Sequence, residues 1–122
     1  MSVYDQAHRL AREIKDSDEY NNYLNMREQI LNSERSCEML KDYQQKQMEL
    51  QGKQMSGENL TDEEKEKMEK LREIIELNLE IRDYLNAEYR VSQMINDLQE
   101  ILFSDLKLGV LHELEDEEKH PE

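Results

Sequence analysis

Two pairs of residues have the spacing of metal ligands. Glu117 and His120 stand three apart, as do Asp5 and His8. Residues at i and i+3 share a helix face, and carboxylate di-iron proteins hold metal with a Glu-x-x-His pair of this kind. Such a centre also needs inward-facing glutamates in a bundle core, whereas Glu117 lies in a charged run beside Pro121. A solvated end and a surface histidine account for both pairs, so no metal is expected. Glu88 is a third candidate, set between Tyr84 and Val91 on an otherwise apolar stripe. A lone buried carboxylate is costly unless it is hydrogen-bonded, and some such groups are functional. The simpler expectation is a structural acid held by a Tyr, Gln or Arg from a facing helix. Cys37 is the only cysteine, which excludes an intrachain disulfide and a cysteine-based metal set. On a helical seam it reads as a small buried hydrophobe; a regulatory thiol would need exposure and a lowered pKa. No nucleophile with an adjacent base, phosphate-cradling glycine loop or histidine pair accompanies these groups. The sequence therefore implies no enzyme, no catalytic residue and no cofactor.

The elements that carry these residues all read as helices. The dominant stretch runs from Leu79 to Leu102, where Ile81, Tyr84, Leu85, Val91, Ile95, Leu98 and Leu102 recur at steps of three and four. At 1.5 Å per residue it would form a rod of roughly 36 Å. Ser2 with Asp5 three residues on is a near capping box for a first helix, whose stripe is Val3, Ala7, Leu10, Ala11 and Ile14. Ala7 and Ala11, being small, would let a neighbour approach closely. A stop and restart at Asp16–Glu19, with Ser17 as cap, opens a second helix presenting Tyr20, Tyr23, Leu24, Arg27, Ile30 and Leu31. Asn32 and Ser33 cap a third, reaching about Met55, with Cys37, Leu40, Tyr43, Gln44, Gln47, Leu50, Gln51 and Gln54 on its inner side. Gly52 within it implies close packing or fraying. Ser56–Asn59 is a loop, and Thr61 with Glu64 forms a capping box for a helix that buries Met68, Leu71, Ile74 and Ile75. Asn78 then interrupts or bends the rod. Beyond Phe103 the pattern weakens, with Leu106, Leu108, Val110, Leu111 and Leu114 around a Gly109 hinge.

The expected fold class is all-α: an elongated antiparallel helical hairpin with two short N-terminal helices laid against it, completing a bundle by self-association. Residues 1–108 would form the helical domain and 109–122 an acidic, mobile C-terminal tail. The surface of self-association is expected to draw on Leu40, Tyr43, Gln47, Leu50, Tyr84, Glu88, Val91, Ile95, Leu98 and Leu102.

Composition narrows the partners. Of 122 residues 36% are hydrophobic and 38% charged, with a net charge of −14. Helical spacing of the apolar residues, with one proline and three glycines, argues for a folded chain over a disordered one. The acidic balance, with no basic stripe, argues against direct nucleic-acid binding. No apolar run is long enough for a membrane span or a secretory leader, so a cytoplasmic location is expected. Met26, Met39, Met48, Met55, Met68 and Met94 are many for this length; core packing is the first expectation for them and an adaptable binding surface the second.

Ala7-x-x-Leu10-Ala11-x-x-Ile14-x-x-Ser17-x-Glu19-Tyr20 resembles the opening of the YlbF/YmcA/YheA family of small helical bacterial proteins. Lys53–Glu58 and, later, Leu85-Asn86-Ala87-Glu88 with Ser92-Gln93 resemble its YheA-like branch. The match spans roughly residues 1–106. The resemblance implies an all-α fold with a long helical hairpin, homo-oligomers and no known catalytic residues. Two relatives are implicated in a complex that adjusts ribonuclease Y and regulates competence, sporulation and biofilm formation. Some relatives carry a cysteine-rich C-terminal tail linked to an iron–sulfur cluster; this chain has no cysteine there.

The leading expectation is a non-catalytic, homo-oligomeric regulatory protein that acts by binding other cytoplasmic proteins, without nucleic acid or membrane. The alternative is a metal- or redox-dependent factor using Glu88, the histidines or Cys37. A third reading makes the acidic surface a decoy for a basic partner and predicts that deleting 112–122 abolishes binding.

Overall fold

The computed structural model describes residues 2–109. Among them the chain forms five α-helices and no strand: α1 (Val3–Asp16), α2 (Asp18–Leu31), α3 (Glu34–Met55), α4 (Asp62–Leu77) and α5 (Leu79–Phe103). The acidic run containing Glu117 and His120, together with the expected flap residues Val110, Leu111 and Leu114, lies outside the described residues.

Helix boundaries follow local hydrogen-bond chemistry. The Ser2 hydroxyl accepts from the Asp5 amide at 3.1 Å, and the Asp5 carboxylate accepts from the Ser2 amide at 3.2 Å, a reciprocal capping box. Ser17 ends α1 and starts α2: its hydroxyl donates to the Ile14 carbonyl at 2.6 Å and accepts from the Tyr20 amide at 3.3 Å. Ser33 accepts from the Ser36 amide at the head of α3. Thr61 and Glu64 close a second capping box at the head of α4. After α3, the amides of Gly57 and Glu58 donate back to the carbonyls of Gln54 and Lys53. That paired return requires a left-handed residue, and Gly57 supplies it at φ 83°. Asn78 breaks the rod between α4 and α5, its side-chain oxygen accepting from the Ile81 amide at 3.1 Å.

The chain divides into two compact units, Met1–Val91 and Ser92–Glu122. In the first, α1 packs on α2, α2 on α3 and α3 on α4. Its core is Ile30, Leu40, Ile75 and Ile81, bordered by Cys37, Met39, Tyr43, Tyr84 and Leu85. Ile81 is fully buried, worth about 1.5–3 kcal/mol in transfer free energy. The head of α3 meets the α4–α5 junction through Ser36 and Asn78, and its last turn meets the head of α4 through Lys53 and Glu64. In the second unit the remaining turns of α5 carry a stripe of half-buried Met94, Ile95 and Leu98, then exposed Ile101, Leu102 and Phe103.

Several sequence expectations are corrected here. Ile74 is 51% exposed, because Met68, Leu71 and Ile75 lie along one narrow face and Ile74 is rotated away from it. On α3 the covered positions include Ser36, Cys37, Met39, Leu40, Tyr43, Gln44 and Leu50, while Gln47, Gln51 and Gln54 are exposed. Met48 and Met55 are exposed as well, against the expectation of core packing; Met26, Met39, Met68 and Met94 are half-buried. Gly52 does not mark close packing, since a Cβ there would meet nothing within 4 Å. In α1 no residue is buried, and Ala7 and Ala11 face solvent. Among the described residues α1 packs on α2 and on no other helix.

Candidate functional site

Asp5 is engaged by its capping box, and His8 is exposed. Among the described residues no three His, Cys, Asp or Glu side chains gather as a metal-binding group. Glu88 is half-buried and accepts a 2.8 Å hydrogen bond from the Tyr84 hydroxyl. The sequence suggested a donor on a facing helix; the donor instead sits one turn back on the same helix, at i−4, where side chains naturally meet. Partial burial of Tyr84, the Glu88 carboxylate at its hydroxyl and the nearby Tyr23 all push the Tyr84 phenol above its ordinary pKa. Cys37 is half-buried beside the core.

Three tyrosines link α2 to α5. The Tyr20 and Tyr23 rings lie 6.2 Å apart, and the Tyr23 and Tyr84 rings 5.7 Å, all tilted. These separations fall in the favourable range for aromatic pairs. A second link is polar. Ser36 is 96% buried, since 4% of it is exposed, and donates to the Glu80 carboxylate at 2.9 Å while accepting from the Asn78 amide at 3.2 Å. Sequence reading passed over Ser36, although its place one turn before Leu40 is the available signal. No spacing rule predicts that Tyr23 chooses Tyr84 or that Ser36 chooses Glu80, because those pairings are tertiary.

Two grooves flank this framework. One, of about 500 Å³, lies at the α4–α5 break between Arg35, Met39, Ile74, Leu77, Asn78 and Glu80. The other, of about 360 Å³, lies along α2 and α3, with Arg27 and Leu31 from α2 and Cys37, Leu40, Lys41, Gln44 and Met48 from α3. Neither holds an acid–base pair or a nucleophile beside a base. Both present partly apolar surface.

The expected interface residues are unevenly buried. Leu40 and Leu50 are buried in the first unit; Tyr43, Tyr84, Glu88, Val91, Ile95 and Leu98 are half-buried; Gln47 and Leu102 are exposed. Within the first unit, Leu40, Tyr43 and Tyr84 gather at one cluster.

Five capped α-helices with large apolar side chains left open to solvent place the described residues in the class of small all-helical proteins. Residues 3–107 match the family described as control of competence regulator ComK, YlbF/YmcA, and the chain is a member of that family. It is 49% identical over 110 residues to a UPF0342 protein of Halothermothrix orenii, covering 90% of this chain and 93% of that one. A UPF0342 protein of Symbiobacterium thermophilum is 40% identical over 82% of this chain and 89% of its own length. Among solved structures, a protein of unknown function (DUF964) from Bacillus stearothermophilus aligns with a TM-score of 0.75 at 20% identity, covering 98% of both chains. Bacillus subtilis RicA, solved in complex with RicF, aligns with a TM-score of 0.60 at 20% identity, over 82% of this chain and 89% of that one. At these identities the two structures share the fold.

Proposed function

We infer that this protein is a non-catalytic regulator that self-associates and works by binding other cytoplasmic proteins. In this reading α3 and α4 form an antiparallel hairpin, and its exposed apolar positions are covered when copies or partners assemble. The single observation that carries the reading is the run Ile101, Leu102 and Phe103, 71%, 54% and 53% exposed, at the end of an apolar stripe that includes Ile95 and Leu98. Leu102 continues that stripe, with Ile101 and Phe103 to either side of it, and large apolar side chains left open together at a helix end support an interaction site. The YheA-like branch and the surface formed by Leu40, Tyr43, Gln47, Leu50, Tyr84, Glu88, Val91, Ile95, Leu98 and Leu102 belong to the same reading, as does a division of labour between a helical body over 1–108 and an acidic segment over 109–122. The RicA–RicF complex supports a protein partner for a chain of this fold. By family kinship the process regulated is RNA processing through ribonuclease Y, with its links to competence, sporulation and biofilm formation.

Light scattering combined with elemental analysis of untagged protein tests this. The reading predicts a mass that is a multiple of 14.7 kDa and no stoichiometric metal. A monomer carrying stoichiometric iron, zinc or manganese would reverse the ranking in favour of a metal-dependent factor using Glu88, the histidines or Cys37.

A further inference from the structure

The groove along α2 and α3 is locally basic in a chain whose net charge is −14. Arg27 and Lys41 stand on its rim, Ile30 and Leu40 are buried at its floor, and no Asp or Glu lines it. Leu31 and Met48 stand open at its edges, 52% and 70% exposed. Among the described residues neither Arg27 nor Lys41 joins an ion pair, whereas Lys67, Lys70 and Arg72 on α4 each pair with a glutamate one turn away. The α3 wall runs through Cys37, Leu40, Lys41, Gln44 and Met48, the repeat of one helix face. At 1.5 Å per residue that wall is roughly 16 Å long, room for about three turns of a helix laid along it.

Building on the reading above that the protein acts by binding proteins, the geometry points to the α2–α3 groove as the dock for an acidic amphipathic helix of a partner protein. Leucine or methionine side chains of that helix cover Leu31 and Met48, and its carboxylates lie beside Arg27 and Lys41. The flexible thioether of Met48 adapts to whatever apolar shape arrives. Glu28, Glu38 and Asp42 neighbour these cations in sequence, and Glu88 is bonded to Tyr84, which also lines the groove, but none of the four acids is itself among the lining residues. The rim cations therefore decide the sign of the partner.

Two synthetic helical peptides of about 14 residues test the assignment, long enough to span the three turns. Both carry leucine at i, i+3 and i+7; one has glutamate at its remaining positions and the other lysine. Each is labelled and titrated against the full chain by fluorescence anisotropy at physiological salt. The glutamate peptide should bind saturably and more tightly than the lysine peptide. The double variant Arg27→Glu/Lys41→Glu should weaken it about tenfold or more and strengthen the lysine peptide. Both substitutions are at exposed positions, so circular dichroism should show an unchanged helical fold. Equal binding of the two peptides to the natural chain, or glutamate-peptide binding untouched by the double variant, would overturn the proposal. So would a fall in the chain's own mass on charge reversal, since that would put a second copy in the groove. If neither peptide binds while the chain still self-associates, the groove assignment fails and the broader reading stands; a strictly monomeric chain would instead count against the broader reading.

Discussion

The cluster around Ile81 and the last turns of α5 are built from the same residue types at the same spacing, yet they end in opposite environments. Ile30, Leu40, Ile75 and Ile81 retain 0–6% of their exposure, whereas Ile101, Leu102 and Phe103 retain between 53% and 71%. Periodicity fixes which side of a helix is apolar; it does not fix what covers that side. In the first unit, coverage comes from α2, α3 and α4, locked by the Tyr23–Tyr84 pair and the Ser36–Glu80–Asn78 bonds. For Ile101, Leu102 and Phe103 we assign the coverage to other polypeptides.

The largest expected effect comes from Ile81→Ala. It should cost about 2–5 kcal/mol, read as a lowered denaturant midpoint, because a fully buried side chain leaves a cavity. Leu102→Ala at the other region should leave the unfolding midpoint of dilute protein nearly unchanged. Equal losses from the two variants would erase the distinction between the regions.

Asn78→Ala sharpens the comparison at the junction where the well-covered region begins. It removes the cap of α5 and the bond to Ser36, and should destabilise by about 1–2 kcal/mol in chemical denaturation. No loss would mean that the break between α4 and α5 is held by packing alone. Gly52→Ala acts in the opposite direction. The helical backbone and the empty space around the new Cβ predict a gain of about 1 kcal/mol in the same assay. A loss would place an unseen partner against that face of α3.

The smallest effect is acidic. The Lys53 ammonium, 2.6 Å away, and the Thr61 amide hold Glu64 down from 4.5 to about 2. A carboxyl depressed in the folded state contributes stability that is full above its unfolded pKa and is lost as pH falls towards the folded one. Thermal midpoints should therefore decline between about pH 4.5 and pH 2, and Glu64→Gln should flatten that decline. An identical pH profile in the variant would show that the contact between the last turn of α3 and the head of α4 carries no linkage.

Much of this architecture was legible in the sequence. Ser2 with Asp5, Ser17, Ser33, Thr61 with Glu64, and Asn78 mark the helix boundaries because capping is a local transaction between residues three apart. The long helix from Leu79 was legible from its repeat. Burial was less so: Ile74 and Gln47 satisfy the same periodicities as Ile75 and Leu50, and only the width of the covering helix separates them. The partner of Glu88 was misplaced because a tyrosine four residues back competes with any facing helix, and the local choice prevails. The groove rim was invisible as a unit, since Arg27 and Lys41 meet only when α2 folds onto α3. Its individual positions on the two helix faces could still be read.

The central claim is that the exposed end of the α5 stripe is covered by association. Sedimentation equilibrium of the natural chain beside Leu102→Asp at micromolar concentration tests it most directly, with circular dichroism confirming that both are helical. The account predicts a self-associated natural chain and a variant shifted towards 14.7 kDa. Identical masses for the two proteins, or a natural chain that is already 14.7 kDa, would contradict it.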